Sequence, residues 1–221
     1  MERITEPELM DDAAQARAYA EADFDEPNTR FVALFNERVG RLPVGAAVLD
    51  LGCGPADITL RIARRHPGIE VHGVDGAAAM LDFGHHALSY EPALAGRVRL
   101  IQGLLPGVEF LRPQYDAIVS NSLLHHLHDP SALWSTIRKC AAPGAAVLVM
   151  DLMRPVTEAR AAELVEQYAG REPEVLRRDF YNSLLAAFEP DEVRAQLDAA
   201  GLASLGVEPV SDRHLVVWGR L

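Results

Sequence analysis

Val48-Leu49-Asp50-Leu51-Gly52-Cys53-Gly54-Pro55-Ala56 is the stretch that decides the fold. It begins as a short apolar run of the kind buried parallel strands show, and it ends in a carboxylate and a glycine-rich turn. Glycine tolerates positive φ and lets a ligand approach the backbone closely. The string is not the dinucleotide fingerprint, because Asp57 stands three positions after Gly54, where that pattern needs glycine for helix packing. Asp50, two residues before the first glycine, suits a cationic ligand group and would be a poor neighbour for a pyrophosphate.

Outward from this corner the chain alternates strands with helices. A helix follows over 57–65, a second strand over 69–74, a helix over 77–88, a third strand over 97–102 and a fourth over 115–120. A helix opens after Asp129-Pro130, and Pro143-Gly144 leads into a fifth strand over 145–150. This alternation predicts an α/β protein with a parallel sheet covered by helices on both faces. The C-terminal third differs: residues 155–188 read as a helical insert, and Pro190-Asp191-Glu192 starts a further helix that stops at Gly201. Strands over 203–210 and 214–218, joined through Ser211-Asp212, form an antiparallel pair. Residues 1–44 read as an N-terminal helical cap, with one helix over 7–22 carrying Leu9, Met10, Ala13, Ala16 and Ala20. A break at Asp25-Glu26-Pro27-Asn28 precedes a second helix with Phe31, Leu34, Phe35 and Val39 in one stripe. Residues 45–221 form the main domain.

Composition narrows the function. Among 221 residues, 21 basic and 32 acidic side chains give a formal charge of −11. With no basic segment to neutralise phosphates, a nucleic-acid partner is not expected. No apolar run approaches the ~20 residues of a bilayer span, and the acidic first residues do not resemble a targeting peptide, so a cytoplasmic protein without membrane contact is expected. Cys53 and Cys140 are too few for a disulfide framework. The sequence sets no oligomeric state, with a homodimer one option.

Two further strings carry chemistry. Asp75, in Val71-His72-Gly73-Val74-Asp75-Gly76, lies at the end of the second strand, 23 residues after Gly52. A carboxylate at that edge can accept hydrogen bonds from both hydroxyls of a ribose. The fourth strand runs into Asn121-Ser122-Leu123-Leu124-His125-His126-Leu127-His128-Asp129. His125 or His126 could serve as a general base, since imidazole titrates near neutral pH. Three histidines and an aspartate so close together also suit a metal.

VLDLGCGPAD (48–57), VHGVDGAAAM (71–80), YDAIVSNSLLHHLHDP (115–130) and APGAAVLVMDL (142–152) resemble the class I S-adenosylmethionine-dependent methyltransferases. The resemblance covers roughly residues 46–151 and implies a Rossmann-like seven-stranded sheet of order 3-2-1-4-5-7-6. It implies S-adenosyl-L-methionine as cofactor, with Asp50, Gly52, Cys53 and Gly54 at its methionine part and Asp75 on its ribose. Gly76, Ala77 and Met80 would cover the adenine, and Asn121 to Leu123 would line the sulfonium side. Ala56 replaces the third glycine of many members. Leu104 replaces an acid that receives the adenine amino group, leaving that task to backbone around Gly103 and Leu104, or to Gln102. Similar histidine-rich strings occur in relatives without a metal, so no metal is expected.

The resemblance implies methyl transfer to a small-molecule substrate, with the N-terminal helices and the 155–188 insert as a lid. Tyr19, Arg30, Arg177, Arg178 and Tyr181 are candidates to line that lid, and Arg171 and Phe180 lie in the same insert. The stretch from Glu174 to Ser183 weakly resembles carboxy-S-adenosylmethionine synthases, which use an arginine there for an extra carboxylate. A cofactor-modifying enzyme of that type, a non-catalytic cofactor-binding module and a nicotinamide-dependent oxidoreductase are the alternatives. Asp50 and Asp57 disfavour the last.

Overall fold

The computed structural model describes residues 1–7, 9 and 13–221. Its centre is a seven-stranded sheet of order β3-β2-β1-β4-β5-β7-β6. The strands are β1 (Ala47–Leu51), β2 (Glu70–Asp75), β3 (Val98–Gln102), β4 (Tyr115–Asn121), β5 (Ala141–Leu152), β6 (Gly206–Pro209) and β7 (His214–Arg220). Strands β1 to β5 pair in parallel, and β7 lies antiparallel to both β5 and β6. This is the order that the resemblance implies, and the parallel strands and closing antiparallel pair are those expected from the sequence pattern.

Because side chains alternate across a strand, the apolar runs feed two cores. Val48, Val71, Val98, Ala117, Val119 and Leu148 face one side, where α2 (Asp25–Val39) and α3 (Asp57–Arg65) pack. Leu49, Leu51, Ile118, Val147 and Val149 face the other, against α5 (Ser131–Cys140) and α8 (Pro190–Ala200). The helix α4 (Ala78–Ser89) lies beside β2 and β3. The insert forms α6 (Glu158–Ala169) and α7 (Glu174–Ala186), which bury Leu152, Leu164, Val165 and Leu184 in a separate cluster beyond the end of β5. No helix among the described residues is long and apolar enough to cross a membrane.

The N-terminal region departs from the sequence expectation. Only Ala13–Glu21 forms helix α1, while residues 1–7 are not helical and run along α7, where the Ile4 N–H donates to the Leu185 carbonyl at 3.1 Å. Met10, which the periodicity placed on the helix, lies outside the described residues. The expected break at residues 25–28 is the first turn of α2. Pro27 fits there because the first-turn N–H groups have no partner inside a helix. Asp25 and Glu26 in that turn complement the helix dipole. Phe31, Leu34, Phe35 and Val39 are buried as the stripe predicted. Strand β5 starts four residues earlier than expected and takes in Pro143-Gly144, with Gly144 at φ +81°. Strand β6 is shorter than the 203–210 reading and ends at Pro209.

Phe35 is fully buried and meets the His66 ring edge-on at 5.5 Å. Phe35→Ala should therefore cost about 3–5 kcal/mol in chemical denaturation. A loss under about 1 kcal/mol would show that α2 lies outside the main core.

Candidate active site

The strand order reverses between β1 and β4, so the connections leaving them diverge to opposite faces and a crevice opens at their carboxyl ends. A cavity of about 1500 Å³ occupies that place. A small-molecule site commonly needs roughly 300–1,000 Å³, so there is room for two ligands side by side.

The glycine corner is built by close approach. Gly52 and Cys53 both donate their N–H groups to the Val74 carbonyl, at 2.8 and 3.0 Å. Gly52 has φ +72°, and a Cβ there would stand 2.8 Å from Cβ of Leu123, on the turn after β4. Ala56 also lies in the left-handed region, at φ +66°. That conformation costs an alanine about 1–2 kcal/mol, partly offset by ~0.8 kcal/mol for burying its methyl group.

Asp75 is a staple between two loops. Its Oδ2 accepts from Gly54 N and its Oδ1 from Ala77 N, both at 2.8 Å. Burial raises its pKa, and these backbone bonds oppose the rise. A carboxylate has about four acceptor positions, so these amides leave acceptor capacity for a ligand hydroxyl. Asp50 lies at the cavity floor, 2% exposed, with Thr59 Oγ1 donating to it at 2.5 Å. Burial pushes its pKa up to about 7, the Thr59 bond opposing and Asp75 adding. Cys53 Sγ turns inward against Gly73, where a Cβ would stand 2.8 Å from the sulfur. Burial holds the thiol well above its ordinary pKa, so Cys53 offers the cavity its backbone.

Above Gly76 the space is closed by two side chains. A Cβ on Gly76 would meet Leu104 Cδ2 at 2.6 Å and Leu9 Cδ2 at 2.7 Å. The Gly103 N–H donates to the Asp75 carbonyl at 2.9 Å. Met80 is buried against Ala16 and Ala77 with Tyr19 beside them. Asn121 lines the cavity, and its Oδ1 is buried without a hydrogen-bond partner.

The histidine string forms a short 3-10 turn, Leu124–His126, at the far end of the cavity. His125 Nδ1 pairs with Asp151 Oδ1 at 2.5 Å, and Asp151 also accepts from Leu124 N and Leu152 N, each at 2.7 Å. Burial alone would lower the His125 pKa, but the Asp151 and Glu6 carboxylates outweigh it and raise it. Burial and the neighbouring His125 hold His126 down to about 3, as a neutral imidazole. Glu6 joins this group from the N-terminal stretch, and Ser183 Oγ donates to its Oε1 at 3.0 Å. Nothing local in the sequence marks Glu6. Asp151 follows the rule that found Asp50 and Asp75, an acid at the carboxyl end of a strand, and that signal went unused.

The lid candidates divide. Tyr19 lines the cavity and stacks on Phe24 with ring centroids 4.6 Å apart; burial, with Asp75, Asp151 and Asp57 nearby, pushes its phenol up to about 12. Arg178 and Phe180 also line it. Arg177 pairs with Glu166 at 3.0 Å, and Tyr181 packs on the cluster between α6 and α7. Arg30 and Arg171 are exposed, and none of Arg30, Arg171, Arg177 and Tyr181 lies in the cavity wall.

Residues 49–147 match the family model described as "Methyltransferase domain". Over 111 residues the chain is 32% identical to the ubiquinone biosynthesis O-methyltransferase of Alkalilimnicola ehrlichii, covering 50% of this chain and 43% of that one. Over 129 residues it is 33% identical to the trans-aconitate 2-methyltransferase of Methylobacterium radiotolerans, covering 57% and 45%. The chain thus spans about half the length of these curated relatives. Among solved structures, the plantazolicin methyltransferase BpumL in complex with a triazolic desmethylPZN analog and SAH superposes with a TM-score of 0.71 at 14% identity. That superposition covers 95% of this chain and 91% of the other. The Haemonchus contortus phosphoethanolamine N-methyltransferase 2 gives 0.67 at 21% identity, covering 90% and 44%.

A sheet of this order, opening on an acid-flanked glycine corner, is the Rossmann-like fold that these solved methyltransferases share. The matched domain carries the likeness further: residues 49–147 match a methyltransferase domain, and the chain is similar to the class I S-adenosylmethionine-dependent methyltransferases.

Since Gly52 is both left-handed and in contact with Leu123, Gly52→Ala should lower stability by about 2–3 kcal/mol in thermal or chemical denaturation. A neutral result would mean that the β1 and β4 turns are not packed together.

Proposed function

We propose that the protein transfers a methyl group from S-adenosylmethionine to a small-molecule acceptor, with an oxygen as the favoured methylated atom. The observation that carries this reading is the pair of carboxylates across the glycine corner, Asp50 on the floor and Asp75 in the wall, beside the orphaned Asn121 Oδ1. Two acids and an acceptor-only oxygen suit a ligand with an ammonium and two ribose hydroxyls, and they would repel a pyrophosphate.

The bound sulfonium supplies an already activated methyl group. What the chain must do is align and exclude water, which can lower a barrier by roughly 7–11 kcal/mol. Asp75 would hold the ribose, the backbone of residues 52–54 the methionine portion, and Asn121 the boundary between cofactor and acceptor. Leu9 and Leu104 would part to admit the adenine and close over it. Tyr19, Phe180 and Arg178 would shape the acceptor end, where His125, His126 and Glu6 supply the polar wall. The oxygen preference draws on the name of the ubiquinone-biosynthesis relative. Arg177 turns to Glu166 and Arg178 to the neighbouring Asp179, which favours methyl transfer over a cofactor-modifying reaction needing an arginine on an extra carboxylate.

Calorimetry with S-adenosylmethionine and with NAD tests the reading: the first should bind and the second should not, and binding of NAD alone would overturn it. Asp75→Ala should weaken cofactor binding by about 1–3 kcal/mol, roughly 5- to 150-fold. Unchanged affinity would remove Asp75 from the ribose.

Asp50 predicts a pH dependence. Its folded pKa of about 7 lies above the ordinary carboxylate value, so its contribution to the ligand-free fold is greatest in acid and is lost as pH rises through about 7. A cationic ligand prefers the carboxylate, so cofactor affinity should strengthen several-fold between pH 6 and pH 8 and flatten in Asp50→Asn. An equal slope in the variant would assign the dependence elsewhere.

A further inference from the structure

The polar group at the far end of the cavity has a geometry that methyl transfer alone does not need. Glu6 reaches it because the N-terminal stretch is fastened there. Arg3 donates to the Ala186, His125 and Leu127 carbonyls at 2.5, 2.9 and 2.9 Å, and its guanidinium stacks 3.9 Å from the centre of the Phe188 ring. His128 Nε2 lies 2.8 Å from the Glu6 carbonyl oxygen.

This brings Glu6 Oε1 to 3.2 Å from His126 Nδ1 and 3.5 Å from His125 Nε2. His126 Nδ1 is buried and has no hydrogen-bond partner, so its proximity to the carboxylate is not a hydrogen bond. His125 Nδ1 is engaged by Asp151, which directs Nε2 toward Glu6. Two imidazole nitrogens and one carboxylate oxygen are therefore grouped within 4.8 Å of one another.

We propose that Glu6, His125 and His126 form a binding site for a divalent transition-metal cation of the zinc type, open toward the cavity. Bonds of about 2.1 Å at tetrahedral angles set ligand atoms roughly 3.4 Å apart, close to both separations from Glu6. Three protein ligands of nitrogen and oxygen type leave at least one position free, the pattern of a site that takes an exogenous ligand. The supporting groups are also in place. Asp151 orients His125 through its second nitrogen, and Ser183 holds the Glu6 carboxylate. Asp129, although close in sequence, caps the next helix through Ser131 N at 2.9 Å and takes no part.

The free position faces the chamber that the methyltransferase reading gives to the acceptor, and on that reading the cation would hold an acceptor's hydroxyl or carboxylate oxygen. The metal site itself stands without it.

The experiment is titration of the chelator-treated 221-residue chain with Zn²⁺ by calorimetry, and with Co²⁺ by visible absorption. One equivalent should bind, with the intense d–d bands of a low-coordinate cobalt site. Glu6→Gln and His126→Gln should each weaken binding at least about 100-fold, and Asp151→Asn about 10- to 100-fold. His85→Gln, on the surface of α4, should change nothing. Absence of stoichiometric binding by the unaltered protein, or equal affinity in Glu6→Gln and His126→Gln, overturns the site. S-adenosylmethionine is titrated in parallel: cofactor binding without metal binding defeats the cation site alone, and metal binding without cofactor binding defeats the methyltransferase reading alone.

Discussion

The Asp75 carboxylate is the contact on which the upper surface of the sheet depends. One oxygen fixes the glycine corner after β1 and the other fixes the start of α4, so a single side chain sets the distance between two loops from neighbouring strands. Its own backbone carbonyl anchors Gly103 beyond β3, which extends the register to a third loop. A buried charge is tolerable there because several N–H groups point at it. The same carboxylate that organises the crevice is the one proposed to receive a ribose, and so binding and architecture share a group.

From this junction the remaining geometry follows by packing. Gly52 lets the β4 turn approach, and that approach places Asn121 and the histidine turn over the crevice. Asp151, at the end of β5, then ties the turn down through Leu124 N and His125 Nδ1. Acids at the carboxyl ends of β1, β2 and β5 thus do three different jobs in one row. Asp50 is raised by burial, Asp75 is held by amides, and Asp151 is held low chiefly by His125 against the burial that would raise it.

Much of this was legible because parallel strands are buried on both faces. The helix Asp57–Arg65 has the bounds its pattern predicts, the apolar run before Gly52 forms a buried strand, and the strand order matches the resemblance. Failures came where a residue's role is set by distant packing. Pro27 reads as a breaker, yet it begins a helix whose other face is buried. The extended course of residues 1–7 has no periodic signal, because it is held by Arg3 on carbonyls that come from the far end of the sequence. Glu6 was invisible for the same reason: its partners are about 120 and 180 residues away. Leu104 was read as a missing acid and for its backbone, whereas its side chain stands over Gly76 beside Leu9 from another segment.

The outer strand β6 has one further implication. It is only four residues long, ends in a proline that has no N–H, and carries Glu208, bridged to Arg38 at 2.7 Å. A ribbon so brief, capped and charged is a poor template for another chain to extend. The sheet's margin on that side is thereby guarded against runaway stacking of copies, leaving the molecule's chemistry at one end and its aggregation safeguard at the border.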